Sequence, residues 1–326
     1  MKTRALGNLA KDNKAMDRLT CQPGDLIAIV CPARKMSAAD LEPAKALLES
    51  WGYRVRFGAS VGAEDHQFGG RDTVRAADLM AQFRDPEVRA ILCARGGYGS
   101  ARLLPLLEPE TLRTNPKWLI GFSDITALHA AWWNLTGMPS LHAAMPSLFP
   151  KTSPDFLLAL QLAMSGHFAN VRSDHHPLNQ AGQAAGVLLG GNLSVLCSLR
   201  GTPYFPKLPT KRPGESSPSN KKVILFIEDL DEYLYHVDRM MLNLELGGVL
   251  DQISGLIVGG MTGMRDNEVP FGATAEQIIH QRMGLRQVPL AFGFPAGHQE
   301  RNVPIALGTQ VVLTVDEQGS YLAYER

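Results

Sequence analysis

Charge of one sign is missing from this chain. Its 326 residues carry 32 Lys and Arg against 32 Asp and Glu, so no net field draws it to nucleic acid or to an anionic membrane. Cysteine is scarce as well. Cys21, Cys31, Cys93 and Cys197 lie far apart, which excludes both a disulfide scaffold and the close pairs of a zinc site, and they read as reduced packing thiols. Long hydrophobic runs are absent: nothing approaches a membrane span, and the opening MKTRALGNLAKDNKAMDRLTCQPG has no apolar core of signal-peptide length. The chain therefore reads as cytosolic. No His-Glu-x-x-His or comparable ligand set is visible, so neither a metal nor a cofactor is expected.

With 45% hydrophobic residues over this length, the chain can bury a core and divide into two domains. The expected partner is a small peptide or similar molecule, with no nucleic acid and no membrane. In the first half, short apolar runs alternate with helical patterns, the signature of an α/β domain whose mostly parallel sheet is flanked by helices. Asp25–Cys31 is the first strand. Ser37 caps a helix with Leu41, Ala44, Leu47 and Leu48 on its apolar face, stopped by Gly52. An edge-like strand follows at Tyr53–Phe57, and Asp72 caps a helix running to about Phe83. Val88–Ala94 is a third strand, a helix starts at Ser100 or Ala101, and Lys117–Gly121 is a fourth strand. A helix over Asp124–Leu135, a strand over Pro139–His142 and a helix over Ser153–Met164 complete this half.

Asn170–Asn179 reads as a linker, giving a polar extension at 1–22, an α/β domain at 23–170 and a smaller β-rich α+β domain at 171–326. Strands are expected there at Gly186–Leu189, Lys222–Glu228, Gly255–Gly260, Val288–Gly293 and Gln310–Val315. Lys207–Lys221, rich in Pro, Ser and charge, reads as a surface loop.

Two chemistry-bearing segments fall at the carboxyl ends of strands, where open α/β sheets form their clefts. In Gly121-Phe-Ser-Asp124 a hydroxyl stands between a buried strand and a helix start, the layout of a serine nucleophile turn, although Ile125 replaces the second glycine of the hydrolase elbow. Gly-x-Ser is a common pattern, and the plain reading of these residues is that Ser123 merely caps a helix. Arg95-Gly-Gly-Tyr-Gly99 lacks the Lys-Ser/Thr of a P-loop and the dinucleotide spacing. Its glycines suit either a tight turn or an oxyanion donor, the N–H of Gly96 or Gly97, placed opposite the N–H of Asp124. For Asp124 the backbone is expected to matter more than the carboxylate.

A serine nucleophile needs a base and an orienting carboxylate. Glu228 ends the apolar run Val223–Ile227, and a carboxylate leaving a buried strand needs a partner. His298 follows Phe294-Pro-Ala-Gly297 just beyond a strand, placed to take and return a proton. His129 and His142 near Ser123 compete, as do His175, His176 and His236. His129 reads as packing.

Taken together, Gly24–Pro32, Phe68-Gly-Gly-Arg-Asp72 with Arg75–Leu79, Arg95–Leu104, Gly121–Thr126, Gly190-Gly-Asn-Leu193, Phe226–Asp229 with Tyr235–Arg239, and Phe294–His298 resemble the LD-carboxypeptidase family of serine peptidases. The resemblance runs from about Pro23 to Leu313, with Phe122 and His236 where the family commonly has Tyr and often Arg. It implies a metal-free triad of Ser123, His298 and Glu228, an α/β domain bearing the serine and a β-rich domain bearing the other two, and a homodimer. The implied reaction is removal of terminal D-alanine from a murein tetrapeptide during cytosolic cell-wall recycling. Arg95, Tyr98 and Arg239 are candidates to bind substrate. The arginines suit its free carboxylate, and fit structural ion pairs equally well. Three alternatives stand: a self-immunity peptidase acting on a peptide–nucleotide or aminoacyl–nucleotide antibiotic, a non-catalytic peptide-binding protein, and a nucleotide-binding α/β enzyme.

Overall fold

The computed structural model describes residues 19–208 and 223–325. Most of the polar extension and of the Lys207–Lys221 loop lies outside the described residues. The chain forms two compact units, one running to Phe168 and taking in Val303–Gly308, the other holding Ala169–Asn302 and Thr309–Glu325. In chain order the strands are β1 (Leu26–Val30), β2 (Arg54–Phe57), β3 (Val88–Cys93), β4 (Trp118–Gly121), β5 (Ser140–His142), β6 (Val171–Asp174), β7 (Gly182–Asn192), β8 (Val223–Leu230), β9 (Ile253–Thr262), β10 (Leu290–Ala291), β11 (Ile305–Leu307), β12 (Gln310–Asp316) and β13 (Gly319–Tyr324).

The first unit is a six-stranded sheet in the order β11-β5-β4-β3-β1-β2. β1 to β5 run parallel and β11 pairs antiparallel with β5. Every residue of β1 and β4 is buried, as a strand covered on both faces requires, whereas edge strand β2 has no buried residue. Each Leu or Ile so enclosed contributes about 1.5–3 kcal/mol of apolar burial. The helix Ala38–Ser50 starts where expected: Ser37 accepts from the Asp40 backbone N–H at 3.1 Å, and Leu41, Ala44 and Leu48 are buried. Gly52, at φ 91°, turns the chain into β2.

Three expectations are corrected in this unit. Asp72 is the first residue of the helix Asp72–Arg84, with Arg71 in the cap position and no side-chain cap bond. Its carboxylate instead pairs with Arg75 and Arg102, and chiefly the Arg102 hydrogen bond holds it below the usual carboxylate range. The segment after Ser100 is a 3₁₀ turn, Ser100–Leu106, followed by a short helix, Pro109–Thr114, because Pro105 and Pro109 cannot donate to a continuous ladder. Val303–Gly308, assigned by sequence to the second domain, returns to the first unit through β11.

The second unit is a seven-stranded sheet, β10-β9-β8-β7-β12-β13-β6. β7 to β10 are parallel, with helices at Leu234–Leu246 and Ala275–Met283, and β12, β13 and β6 add an antiparallel edge. Part of the expected linker is strand β6, which pairs with β13 and alternates buried Val171 and Ser173 with exposed neighbours. Four residues are too few to show that period by sequence.

Candidate active site

Ser123 sits where β4 hands over to the helix Thr126–Thr136, in a short 3₁₀ turn with φ 65°. A non-glycine residue there stores about 1–3 kcal/mol of strain, which persists only where the surroundings enforce it. They do so from several sides. Phe122 before it and Ile125 after it are buried, and His129 Nε2 lies 2.9 Å from the Gly121 carbonyl. Burial lowers His129 to about 3, so it is a neutral ring that donates to that carbonyl. His129 therefore does more than pack: it anchors the strand end from which the serine turn starts.

The glycine loop after β3 meets this turn. A Cβ built on Gly96 would lie 3.0 Å from Ser123 Cβ, 3.2 Å from its Oγ and 3.4 Å from the Asp124 nitrogen. Gly96 is buried, whereas Gly97, at φ 108°, and Tyr98 are exposed. Thus Ser123, Asp124 and Gly96 come together, with the Asp124 N–H beside the hydroxyl. Arg95 is half-buried, its Nη1 3.7 Å from Met36 Sδ.

The Asp124 carboxylate, expected to matter little, is 4% exposed and accepts the Ser100 N–H at 2.8 Å. The carbonyl of the same peptide unit, Gly99, accepts from Arg75 Nη1 at 3.1 Å. Arg75, 1% exposed, also donates to the carbonyls of Pro32 and Gly70 and pairs with Asp72. One peptide group of the glycine loop is thereby gripped between a buried carboxylate and a buried guanidinium. Asp124→Ala leaves the Ser100 N–H without its acceptor and is expected to cost about 1–3 kcal/mol, with Asp124→Asn recovering most of it. Urea denaturation of the two variants checks this, and equal losses would remove the hydrogen bond from the account.

In the second unit, Glu228 and His298 are joined directly. His298 Nδ1 lies 2.6 Å from Glu228 Oε2, and the His298 backbone N–H donates to the same oxygen at 3.1 Å. Glu228 has no exposed side-chain surface and His298 15%. With Nδ1–H given to the carboxylate, Nε2 carries the lone pair of the neutral ring. The positions follow from the sheet. The β8–β9 register slips between Ile227 and Asp229, and such an irregularity re-aims a side chain. Gly260 donates to the Ala296 carbonyl at 3.1 Å, Gly297 donates to Asn302 Oδ1 at 2.9 Å, and Thr262 Oγ1 donates to the His298 carbonyl. Gly297, at φ 100°, is obligatory: a Cβ there would lie 2.7 Å from Glu228 Cβ, Cγ and Oε2.

Arg239 is exposed with its guanidinium 5.3 Å from the Tyr235 ring centroid, and no described hydrogen bond brings it to Glu228 or His298. His236 pairs with Glu232 at 2.9 Å. Sequence reading missed Asp229, which is buried and accepts from Asn192 Nδ2 at 2.8 Å, Ser194 N at 2.8 Å and Leu230 N at 2.9 Å. Burial, helped by the Glu228 charge, raises it to about 6. Between its ordinary value and about 6 the folded protein holds a proton that the unfolded chain has lost, so this group's contribution to stability falls as pH rises through that window. Asp229→Asn should lack this slope, so its melting temperature relative to wild type is expected to rise from pH 4 to 6. A constant difference would count against it.

A family model described as the LD-carboxypeptidase N-terminal domain matches residues 27–143, and one described as the LD-carboxypeptidase C-terminal domain matches 185–313. The murein tetrapeptide carboxypeptidase of Pseudomonas aeruginosa is 30% identical over 307 residues, covering 90% of this chain and 95% of that one. The Microcin C7 self-immunity protein MccF of Escherichia coli is 23% identical, covering 86% and 88%. Among solved structures, the muramoyltetrapeptide carboxypeptidase from Oxalobacter formigenes superposes with a TM-score of 0.82 at 26% identity, over 92% of this chain and 99% of that one.

Proposed function

The chain belongs to the LD-carboxypeptidase family, and from that premise we propose that it removes the terminal D-alanine from murein tetrapeptides by acyl transfer through Ser123. The observation that carries this reading is the buried carboxylate–imidazole pair, Glu228 Oε2 to His298 Nδ1 at 2.6 Å. It leaves Nε2 as the proton acceptor. In the reaction His298 takes the Ser123 proton as Oγ attacks the carbonyl preceding D-alanine. The N–H of Asp124 and that of Gly96 or Gly97 hold the oxyanion. The C–N bond then breaks and His298 protonates the departing amine. Water, deprotonated by His298, cleaves the Ser123 ester and restores the hydroxyl. Glu228 orients the ring and stabilises its charged form.

Mass spectrometry of a muropeptide mixture tests the reading. The expected result is loss of one alanine from tetrapeptides and from nothing else; unchanged tetrapeptides would overturn it. The relative named for murein tetrapeptides stands at 30% identity against 23% for the self-immunity protein, which favours the murein substrate. Turnover of an aminoacyl-sulfamoyl adenylate beside a tetrapeptide compares the two. We also propose a homodimer working in the cytosol. The family resemblance supports the dimer, and among the described residues no helix is long and apolar enough to cross a membrane. Sedimentation at a single chain's mass would reject the dimer.

A further inference from the structure

We propose that Arg34 recognises the free carboxylate of the residue that leaves, and so makes the enzyme cut at the chain end. This rests on Ser123 being the nucleophile. The topology already marks the place. β1 pairs with β2 on one side and β3 on the other, so the winding reverses between β1 and β3, and a crevice opens beyond their carboxyl ends. The loop after β1 carries Arg34; the loop after β3 carries Gly96 and Gly97.

These loops touch. A Cβ on Gly97 would lie 2.6 Å from Arg34 Cδ, 2.8 Å from Nε and 2.9 Å from Cγ. At φ 108° a side chain on Gly97 would be strained, and its Cβ would press on the arginine stem. On the neighbouring residue, Gly96, the same construction meets Ser123 Oγ at 3.2 Å. One dipeptide thus has the arginine on one residue and the nucleophile on the next. In the substrate, the carboxylate carbon is three bonds from the carbonyl carbon under attack, at most about 3.8 Å away. A group that reads it must lie beside the loop that flanks Ser123.

Two other arginines nearby are committed: Arg75 is buried among carbonyls and Asp72, and Arg102 pairs with Asp72. Arg95 is half-buried, with Nη1 3.7 Å from Met36 Sδ. The adjacent Lys35 is paired with Glu64 at 2.8 Å. Arg34 is exposed, and among the described residues its guanidinium makes no ion pair. Its backbone is held: Arg34 bridges Phe68, Gly69 N donates to Ala33 O at 3.1 Å, and Lys35 N donates to Gln67 O at 3.0 Å. A fixed root and an unpaired fork are what bidentate carboxylate recognition asks for.

The test compares a tetrapeptide ending in D-alanine with the same peptide ending in D-alaninamide. Wild type is expected to prefer the acid by about 100-fold in kcat/KM. Arg34→Ala should lose most of that preference through a higher KM for the acid, with kcat changed less and the melting temperature held. Arg34→Lys should recover part of the preference, as a charge without the fork. An Arg34→Ala enzyme that keeps the wild-type acid-to-amide ratio overturns the proposal and leaves the peptidase reading intact. A wild-type enzyme inert toward both peptides overturns that reading, and this one with it.

Discussion

Ser123→Ala is expected to lower kcat on tetrapeptides about a million-fold, because removing the nucleophile of a triad disables the other two members as well. Stability should respond differently. Alanine keeps the left-handed backbone at φ 65°, so Ser123→Ala should unfold within about 0.5 kcal/mol of wild type. Ser123→Gly suits that φ, relieving about 1–3 kcal/mol of strain while losing about 0.5–1 kcal/mol to the freer unfolded chain. It should therefore be the most stable of the three and as inactive as alanine. Single-turnover kinetics and urea denaturation measure both effects. Residual activity near wild type in Ser123→Ala sinks the nucleophile assignment; a glycine variant less stable than alanine sinks the claim that the turn is strained.

That turn was legible from sequence because a short apolar run, Trp118–Ile120, ends in Gly121-Phe-Ser-Asp124 and gives way to a helical pattern. Glu228 was legible for a similar reason, a carboxylate closing the run Val223–Ile227. What stayed hidden depends on groups that meet only in space. Arg75 is one turn from Asp72 on a helix whose buried face includes Ala76 and Leu79, so a cation on an apolar stripe was the available signal. Its targets, the carbonyls of Pro32, Gly70 and Gly99, carry no side-chain mark at all. Arg34 left no trace either, since its placement follows from the room that Gly97 leaves. β11 escaped because three residues, Ile305–Leu307, are too few for a period and pair with a strand over 160 positions earlier.

Glu228→Ala is expected to lower kcat about 10⁴-fold, the scale on which a triad without its carboxylate loses rate. Two losses combine there: the imidazolium loses its counter-charge, and the His298 backbone N–H loses the acceptor it has at 3.1 Å. Glu228→Gln separates them. In many triads an amide replacement turns its NH₂ toward the histidine and imposes the wrong tautomer. Here one oxygen, Oε2, faces two donors of His298, the backbone N–H and Nδ1–H. A glutamine that pointed its NH₂ at that position would meet both, so its carbonyl oxygen is held there and the tautomer is kept. What remains missing is the negative charge. The expected loss for Glu228→Gln is about 10²–10³-fold, smaller than for alanine. Steady-state kinetics on a tetrapeptide checks the order: a glutamine variant as slow as alanine would mean that the amide flips, and that the backbone N–H does not fix the orientation of residue 228.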